Sequence, residues 1–496
     1  MRRSAVVVGA GLGGLATAIR LRHAGWDVTV LEKNNCVGGR CNVLREDGFT
    51  FDTGPTLLLM RDVLDNLFAS VGHDLEDYLE LVRIHPNYCV HFADGWSLEF
   101  SSHREKMARQ LEDLEPGAAD AFRRYIDDAG YKYRVSRDRF VERNFNHLYQ
   151  FTTPANLYYL FSTNTLRKLD RHARRYFKDP RIVAAVTFQS MYLGLAPHHA
   201  PAVYSLLPYT ELEQGIWFPR GGMYQIVESL RGLAETLGVC VQTRAEVERI
   251  RVRGRRVLAV ELTDGRIVDA DVVIANADLP YVYDALIPRQ AQSAAHRTRM
   301  RHLNHGSSAF LMFLGLDREY PELNHHDVYL SADVAGNFDA IFRHGRLPDD
   351  PSFYTCAAGR TDRSLAPAGK EGLYVLVPVP SSSPATDWTS EIEAFKQKIY
   401  DRLTDVGLQK LKDHVVFERI YTPDDFVADY NVTRGSAFGL SHSFFQVGYM
   451  RPANKAAGLD NLYFVGASTV PGGGVPMVIM GSRLTAERVE EDWAGA

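Results

Sequence analysis

The chain has 496 residues and a formal net charge of −5, from 56 Lys and Arg against 61 Asp and Glu. At that length one hydrophobic core stops growing, so two or more sub-structures are expected. Hydrophobic residues at 45 % and charged residues at 24 % exclude disordered, collagen-like and coiled-coil chains. The slightly acidic balance argues against nucleic acid as the main partner. Cys36, Cys41, Cys89, Cys240 and Cys356 are too sparse for a disulfide framework and point to a reducing compartment. No run approaches the roughly 18 apolar residues a spanning helix needs. The opening segment does not read as a secretory signal, because its short apolar run breaks into glycines.

The first forty residues form one supersecondary unit. Ala5-Val6-Val7-Val8 is an all-apolar run, as a buried parallel strand should be. Gly9, Gly11 and Gly14 then spell G-x-G-x-x-G, with Gly13 beside them, and a helix follows with Leu12, Leu15 and Ile19 on one face. Gly25 ends that helix, and Asp27 to Glu32 is a second strand. The first glycine permits the tight turn, the second lets backbone approach a pyrophosphate, and the third lets helix pack on strand. The helix N-terminus offers free N–H groups to phosphates, and Glu32 stands where a carboxylate meets ribose hydroxyls. Strand, helix, strand and acid in this order predict dinucleotide binding.

Farther on, residues 62–185 read as helical and polar, with no clean linker. Strand pattern returns between 240 and 278, with Val239 to Thr243, then Val247 and Ile250, and a hairpin turning at Thr263-Asp264-Gly265. Ala270 to Asp278 reads as a buried strand ending in polar residues, and Asn461 to Gly466 as another. A final helix is expected from about Gly481. Strand-like pieces at both ends of the chain are expected to join one sheet, with the helical middle inserted.

Past the first unit stand Gly38-Gly39-Arg40 and then Phe51-Asp52-Thr53-Gly54-Pro55-Thr56. These motifs resemble the FAD-dependent amine-oxidase and carotenoid-desaturase superfamily. A long flavin half needs side chains absent along its path and one cation at its oxygens. The resemblance sharpens toward the bacterial and fungal phytoene desaturases. Gly215 to Met223 (GIWFPRGGM) is similar to that family's GxWFPxGG segment, and Phe188 to Gly194 followed by Tyr204 to Leu207 is similar to its fungal members. Ser352-Phe353-Tyr354 and Leu365 to Lys370 also fit. Tyr463 to Met477 (YFVGASTVPGGGVPM) is similar to the C-terminal flavin segment. The match spans nearly the whole chain in order.

The resemblance implies an α/β fold, with a Rossmann-like FAD-binding domain built from the discontinuous segments 1–85, 215–285 and 440–496. An inserted α+β part would face substrate and membrane, with 86–214 helical and 286–439 supplying a sheet and helices. It implies that Gly9, Gly11, Gly13, Gly14 and Glu32 hold adenosine and pyrophosphate, with Val247 backbone at the adenine. Gly39 and Arg40 would sit at the flavin's phosphate side. Gly54, Pro55 and Thr56 would lie near the isoalloxazine, and Gly466, Ala467, Val475, Pro476 and Met477 against ribityl chain and ring. Ala467 replaces an acid found in many other flavoproteins, so the ribityl hydroxyls are expected to rely on backbone groups. The match departs at Val470, where the family usually carries histidine.

Desaturation beside a polyene requires loss of a hydride and a proton, and the flavin takes the difficult half. The cation left behind is allylic, so a modest base suffices and no catalytic triad is expected. Arg167 and Asp170 align with the family's polar stretch on the substrate side and are candidates for orienting substrate or stabilising that cation. No metal is expected: His198-His199 and His325-His326 are adjacent pairs, and adjacent residues do not share one face. Cys36 and Cys41 have the C-x4-C spacing of flavin disulfide reductases, but Gly38-Gly39 lies between rather than before them, so packed thiols are expected.

Residues 131–181 hold twelve Lys or Arg against four Asp or Glu, interleaved with aromatics such as Tyr149, Tyr158 and Phe161. That pattern suits single-stranded nucleic acid or an anionic membrane surface. A long carotenoid already sits in a medium as apolar as any pocket, so burial, at roughly 0.8 kcal/mol per CH₂, gives no net pull out of lipid. A tunnel opening onto the bilayer is therefore expected, in a cytoplasmic, peripherally membrane-associated enzyme acting on a polyisoprenoid with oxygen or a quinone as acceptor. Within the family, carotenoid isomerase, ketolase and terminal oxidase remain alternatives. Outside it stand an amine oxidase and a non-catalytic prenyl-binding protein.

Overall fold

A computed structural model describes residues 3–381 and 386–494. Its organising element is the strand Ser4–Val8, which pairs in parallel with Val272–Ala275 on one side and Asp27–Leu31 on the other. Leu462–Phe464 and Cys240–Gln242 complete a five-stranded parallel sheet at its two edges. The all-apolar run is explained by burial on both faces. Ala5 and Val7 pack toward Leu15, Ile19, Ile226 and Ile479 on helices. Val6 and Val8 pack toward Ile250 and Val260 of a three-stranded antiparallel sheet.

That smaller sheet contains Val247–Arg253, Arg256–Leu262 and Ile267–Asp269. Its second turn falls at the expected Thr263-Asp264-Gly265. Helix Leu12–His23 lies against helices Tyr224–Thr236 and Val475–Trp493. The last of these begins six residues before the expected Gly481. Pro476 sits in its first turn, where a missing N–H costs nothing, so a proline that reads as a breaker starts the helix instead.

The region 62–185 also departs from a purely helical reading. Leu81–Arg83, Tyr88–His91 and Ser97–Phe100 are strands, each too short to show a clear alternation in sequence. Helices Arg104–Leu114 and Ala118–Ser136 follow. Tyr88–His91 and Ser97–Phe100 form one edge of a seven-stranded sheet whose other strands come from 308–421. Its strand Ser308–Leu316 is buried along its full length. Phe310, Met312 and Leu314 face one core and Ala309, Leu311 and Phe313 another. The sheets and helices enclose a large cavity between them.

Candidate active site

The glycine turn is built as its spacing demands. Gly9 has φ +99°, which a side chain rarely adopts, and a Cβ on Gly14 would lie 2.2 Å from the Gly9 carbonyl oxygen. Helix Leu12–His23 starts directly after Gly11 with no side-chain cap on Gly11, so the N–H groups of Leu12 and Gly13 are free for an anion, while that of Gly14 is taken by Asn276. Glu32 is buried and pinned: Oε2 accepts from the Ala10 N–H at 2.8 Å and Oε1 from the Asn34 N–H at 3.0 Å. A carboxylate offers about four lone-pair sites, which leaves acceptors for ribose hydroxyls at the cavity wall.

The cavity measures about 1380 Å³, beyond the roughly 300–1,000 Å³ that one small ligand occupies. Every expected cofactor-binding position lines it except Gly14, which instead closes the helix onto the strand. Arg40 donates from Nη1 to the Ala437 carbonyl at 2.8 Å, and burial pushes its guanidinium below the usual arginine range. A Cβ on Gly54 would come within 1.8 Å of the Arg40 carbonyl oxygen, so that close crossing requires glycine. A free helix terminus, a pinned acid and side-chain-free walls fit the FAD that the motifs imply.

Three functional residues escaped the sequence reading. Asn276 Oδ1 accepts from the Gly14 N–H at 2.9 Å, and its Nδ2 donates to the Val465 carbonyl at 3.1 Å. It thereby fastens the N-terminal turn to the C-terminal flavin segment; its only sequence signal was the polar end of a buried strand. Arg451 is 1 % exposed and donates to the carbonyls of Thr469, Ser441, Gln446, Leu440 and Ala467. Burial lowers its pKa to about 10. The Ala467 backbone is therefore fixed by a cation, where other flavoproteins place an acid in the side chain.

His442 is the third. Its Nε2 accepts from the Gly473 N–H at 3.1 Å, and burial holds the ring well below the ordinary histidine pKa, hence neutral. Val470 has no imidazole of its own, yet an imidazole from a separate segment flanks the same turn. Nothing local in the sequence connects positions 442 and 473.

Arg167 and Asp170 do not reach the cavity. Arg167 is exposed on a turn whose backbone pairs with the segment at Ala200 to Ala202, and that pairing directs its side chain outward. Asp170 lies in the short helix Leu169–Ala173, away from the cavity wall. Cys36 and Cys41 are free thiols: Cys41 is buried, which raises its pKa, and Cys36 meets Asn42 at 3.6 Å.

The expectation that adjacent histidines diverge fails at His325 and His326. Both are buried, with ring centroids 4.2 Å apart. His325 sits in a bend just before strand His326–Tyr329, so strand alternation does not govern it.

Beyond the flavin segments the cavity wall is apolar and aromatic, with Phe188, Met191, Leu206, Leu207 and Leu311 among its lining residues. It continues to Phe145, Phe151, Leu160, Phe444, Phe445 and Met450. Around that end Tyr149, Tyr158 and Phe161 are exposed, and Phe445 is 74 % exposed. No helix among the described residues is long and apolar enough to cross a membrane.

Residues 12–490 match the family model described as flavin containing amine oxidoreductase. A zeta-carotene-forming phytoene desaturase of Myxococcus xanthus is 46 % identical over 495 residues, covering 100 % of this chain and 95 % of that one. A 4,4'-diapophytoene desaturase (4,4'-diaponeurosporene-forming) of Staphylococcus aureus is 36 % identical, covering 98 % of each. Among solved structures, an oxidoreductase from Methanosarcina mazei superposes with a TM-score of 0.67 at 20 % identity, over 98 % of this chain and 100 % of the other. The glycine cradle, the pinned acid and the closed flavin turn agree with these likenesses: the chain is an FAD-dependent oxidoreductase of the flavin containing amine oxidoreductase family and belongs to its phytoene-desaturase branch.

Proposed function

We propose that this enzyme inserts double bonds stepwise into a phytoene-class polyisoprenoid in carotenoid biosynthesis, the kind of reaction for which its Myxococcus and Staphylococcus relatives are named. The observation that carries the reading is continuity. One cavity runs from Glu32, past Gly466 and Pro476, to an aromatic mouth at Phe145, Phe151 and Phe445. When bound there, FAD supplies hydride acceptance from an unactivated C–H bond. Arg451 and Asn276 would hold the wall at Val465 and Ala467 against which the cofactor would bind. Phe188, Leu206 and Leu207 exclude water and keep an extended hydrocarbon aligned. The test is pigment analysis of a phytoene-accumulating host expressing the chain. Longer conjugated products support the reading, and unchanged phytoene sinks it; feeding lycopene separates desaturation from isomerase, ketolase or oxidase chemistry.

The same reading takes the mouth as a peripheral membrane contact at the cytoplasmic face, with oxygen or a quinone reoxidising the enzyme. Exposed Leu148, Tyr149, Tyr158, Phe161 and Leu166 stand on the strongly basic stretch 131–181, and this pairing supports insertion among anionic headgroups. We also take segments 1–85, 215–285 and 440–496 as the cofactor domain and the remainder as the substrate side.

A further inference from the structure

Below the cavity floor lies a cluster that the reaction does not use. His325 and His326 are buried, and each imidazole is anchored at Nδ1, His325 by Thr361 Oγ1 at 2.5 Å and His326 by the Tyr354 hydroxyl at 2.7 Å. Neither Nε2 has a hydrogen-bond partner, and both are shut off from solvent. Cys356 lies directly opposite His326 in the antiparallel pair of strands. One ligand atom from each of the three residues lies within 4.8 Å of the others.

The hydrogen-bond arithmetic leaves a deficit. An Nδ1–H that donates to a hydroxyl leaves the lone pair on Nε2. Each such buried acceptor left unpaired costs roughly 1–3 kcal/mol. The neighbouring group Cys89, His91 and Asp327 shows no such deficit, because His91 Nε2 already bonds Asp327 Oδ1 at 2.8 Å.

We propose that His325, His326 and Cys356 bind one zinc-class divalent cation. Two imidazole nitrogens and a thiolate select zinc over hard, oxygen-seeking ions such as magnesium or calcium. On binding, the Cys356 S–H bond breaks, a metal–sulfur bond forms and one proton leaves to solvent, so the site carries a single positive charge. Tetrahedral zinc at about 2.0–2.3 Å from its ligands holds them about 3.3–3.8 Å apart, so the trio draws inward on loading. Tyr354 joins the site to the cavity, since its hydroxyl bonds both His326 and the cavity-lining Thr56, the latter at 2.7 Å. The ion would thus act as a pin beneath the flavin wall.

The test uses tag-free, FAD-loaded enzyme purified from zinc-supplemented medium and analysed by elemental mass spectrometry. About one zinc per chain is expected, with X-ray absorption fine structure showing two nitrogen neighbours and one sulfur. Cys356→Ser and His326→Gln should each cut the zinc content about tenfold or more while flavin content shows that the fold persists. Cobalt(II) loaded into the unmodified chain should show a thiolate charge-transfer band, a readout that survives even if the variants misfold. Zinc well below stoichiometry in the loaded enzyme, zinc undiminished in both folded variants, or a crystal showing a water between the imidazoles with no anomalous signal would each overturn the proposal.

Discussion

The side-chain carbonyl of Asn276 accepts the backbone N–H of Gly14, 262 positions earlier in the chain, at 2.9 Å. The same side chain donates to the Val465 carbonyl, so one amide ties the two ends of the polypeptide together at the cavity wall. Asn276→Leu leaves two backbone groups without partners, at roughly 1–3 kcal/mol each. The expected outcome is a lower melting temperature and flavin affinity weakened about tenfold or more, read by calorimetry and by the flavin-to-protein absorbance ratio. Full flavin occupancy after dialysis would contradict it.

Arg451 satisfies five carbonyls with one planar fork. Lysine keeps the charge but offers a single ammonium at another reach. Arg451→Lys should therefore destabilise the enzyme by about 3–5 kcal/mol, the cost of breaking a buried, fully hydrogen-bonded charge network. Chemical denaturation would measure it, and flavin should be released before global unfolding because the loop 440–446 and the turn at Ala467 lose their common anchor.

Glu211 sets a pH dependence whose sign is fixed by burial. Desolvation raises its carboxyl pKa from 4.5 to about 8, against opposing hydrogen bonds from Tyr88 and Gln189. Between about pH 4.5 and 8 the folded chain keeps the proton that the unfolded chain has lost, so stability falls as pH rises through that window. Glu211→Gln should flatten the slope in urea titrations repeated across it. An identical slope in the variant would assign the dependence to other groups.

Phe445 lines the cavity and is 74 % exposed, and Phe161, next in the chain to the cavity-lining Leu160, is 69 % exposed. Replacing both by glutamate should leave the melting temperature nearly unchanged, as surface substitutions do. Co-flotation with anionic vesicles at low salt should drop about tenfold, because apolar insertion and charge attraction are lost together. Equal flotation by the double variant and the unmodified chain would remove the mouth from the membrane contact.

Sequence was most informative where function needs contiguous residues. Gly9 to Gly14, Glu32, Gly38-Gly39-Arg40 and Tyr463 to Met477 each carry a local backbone requirement, so they were readable as motifs, and the structure sets all but Gly14 of the expected cofactor residues on one cavity. Arg167 and Asp170 lie outside the cavity lining, since a polar stretch says nothing about which way a turn faces. Asn276, His442 and Arg451 were invisible because their bonds to Gly14, Gly473 and Ala467 span 262, 31 and 16 residues.

The amino-acid order alone determined the glycine-rich strand–turn–helix at the start of the chain, since glycine spacing and apolar runs act over a few residues through sterics and local burial. Only tertiary structure decided that a helix begins at Pro476, that His442 takes its place beside Gly473, and that His325, His326 and Cys356 converge. Those outcomes depend on which distant backbones pack together, and packing is a property of the whole chain rather than of any window within it.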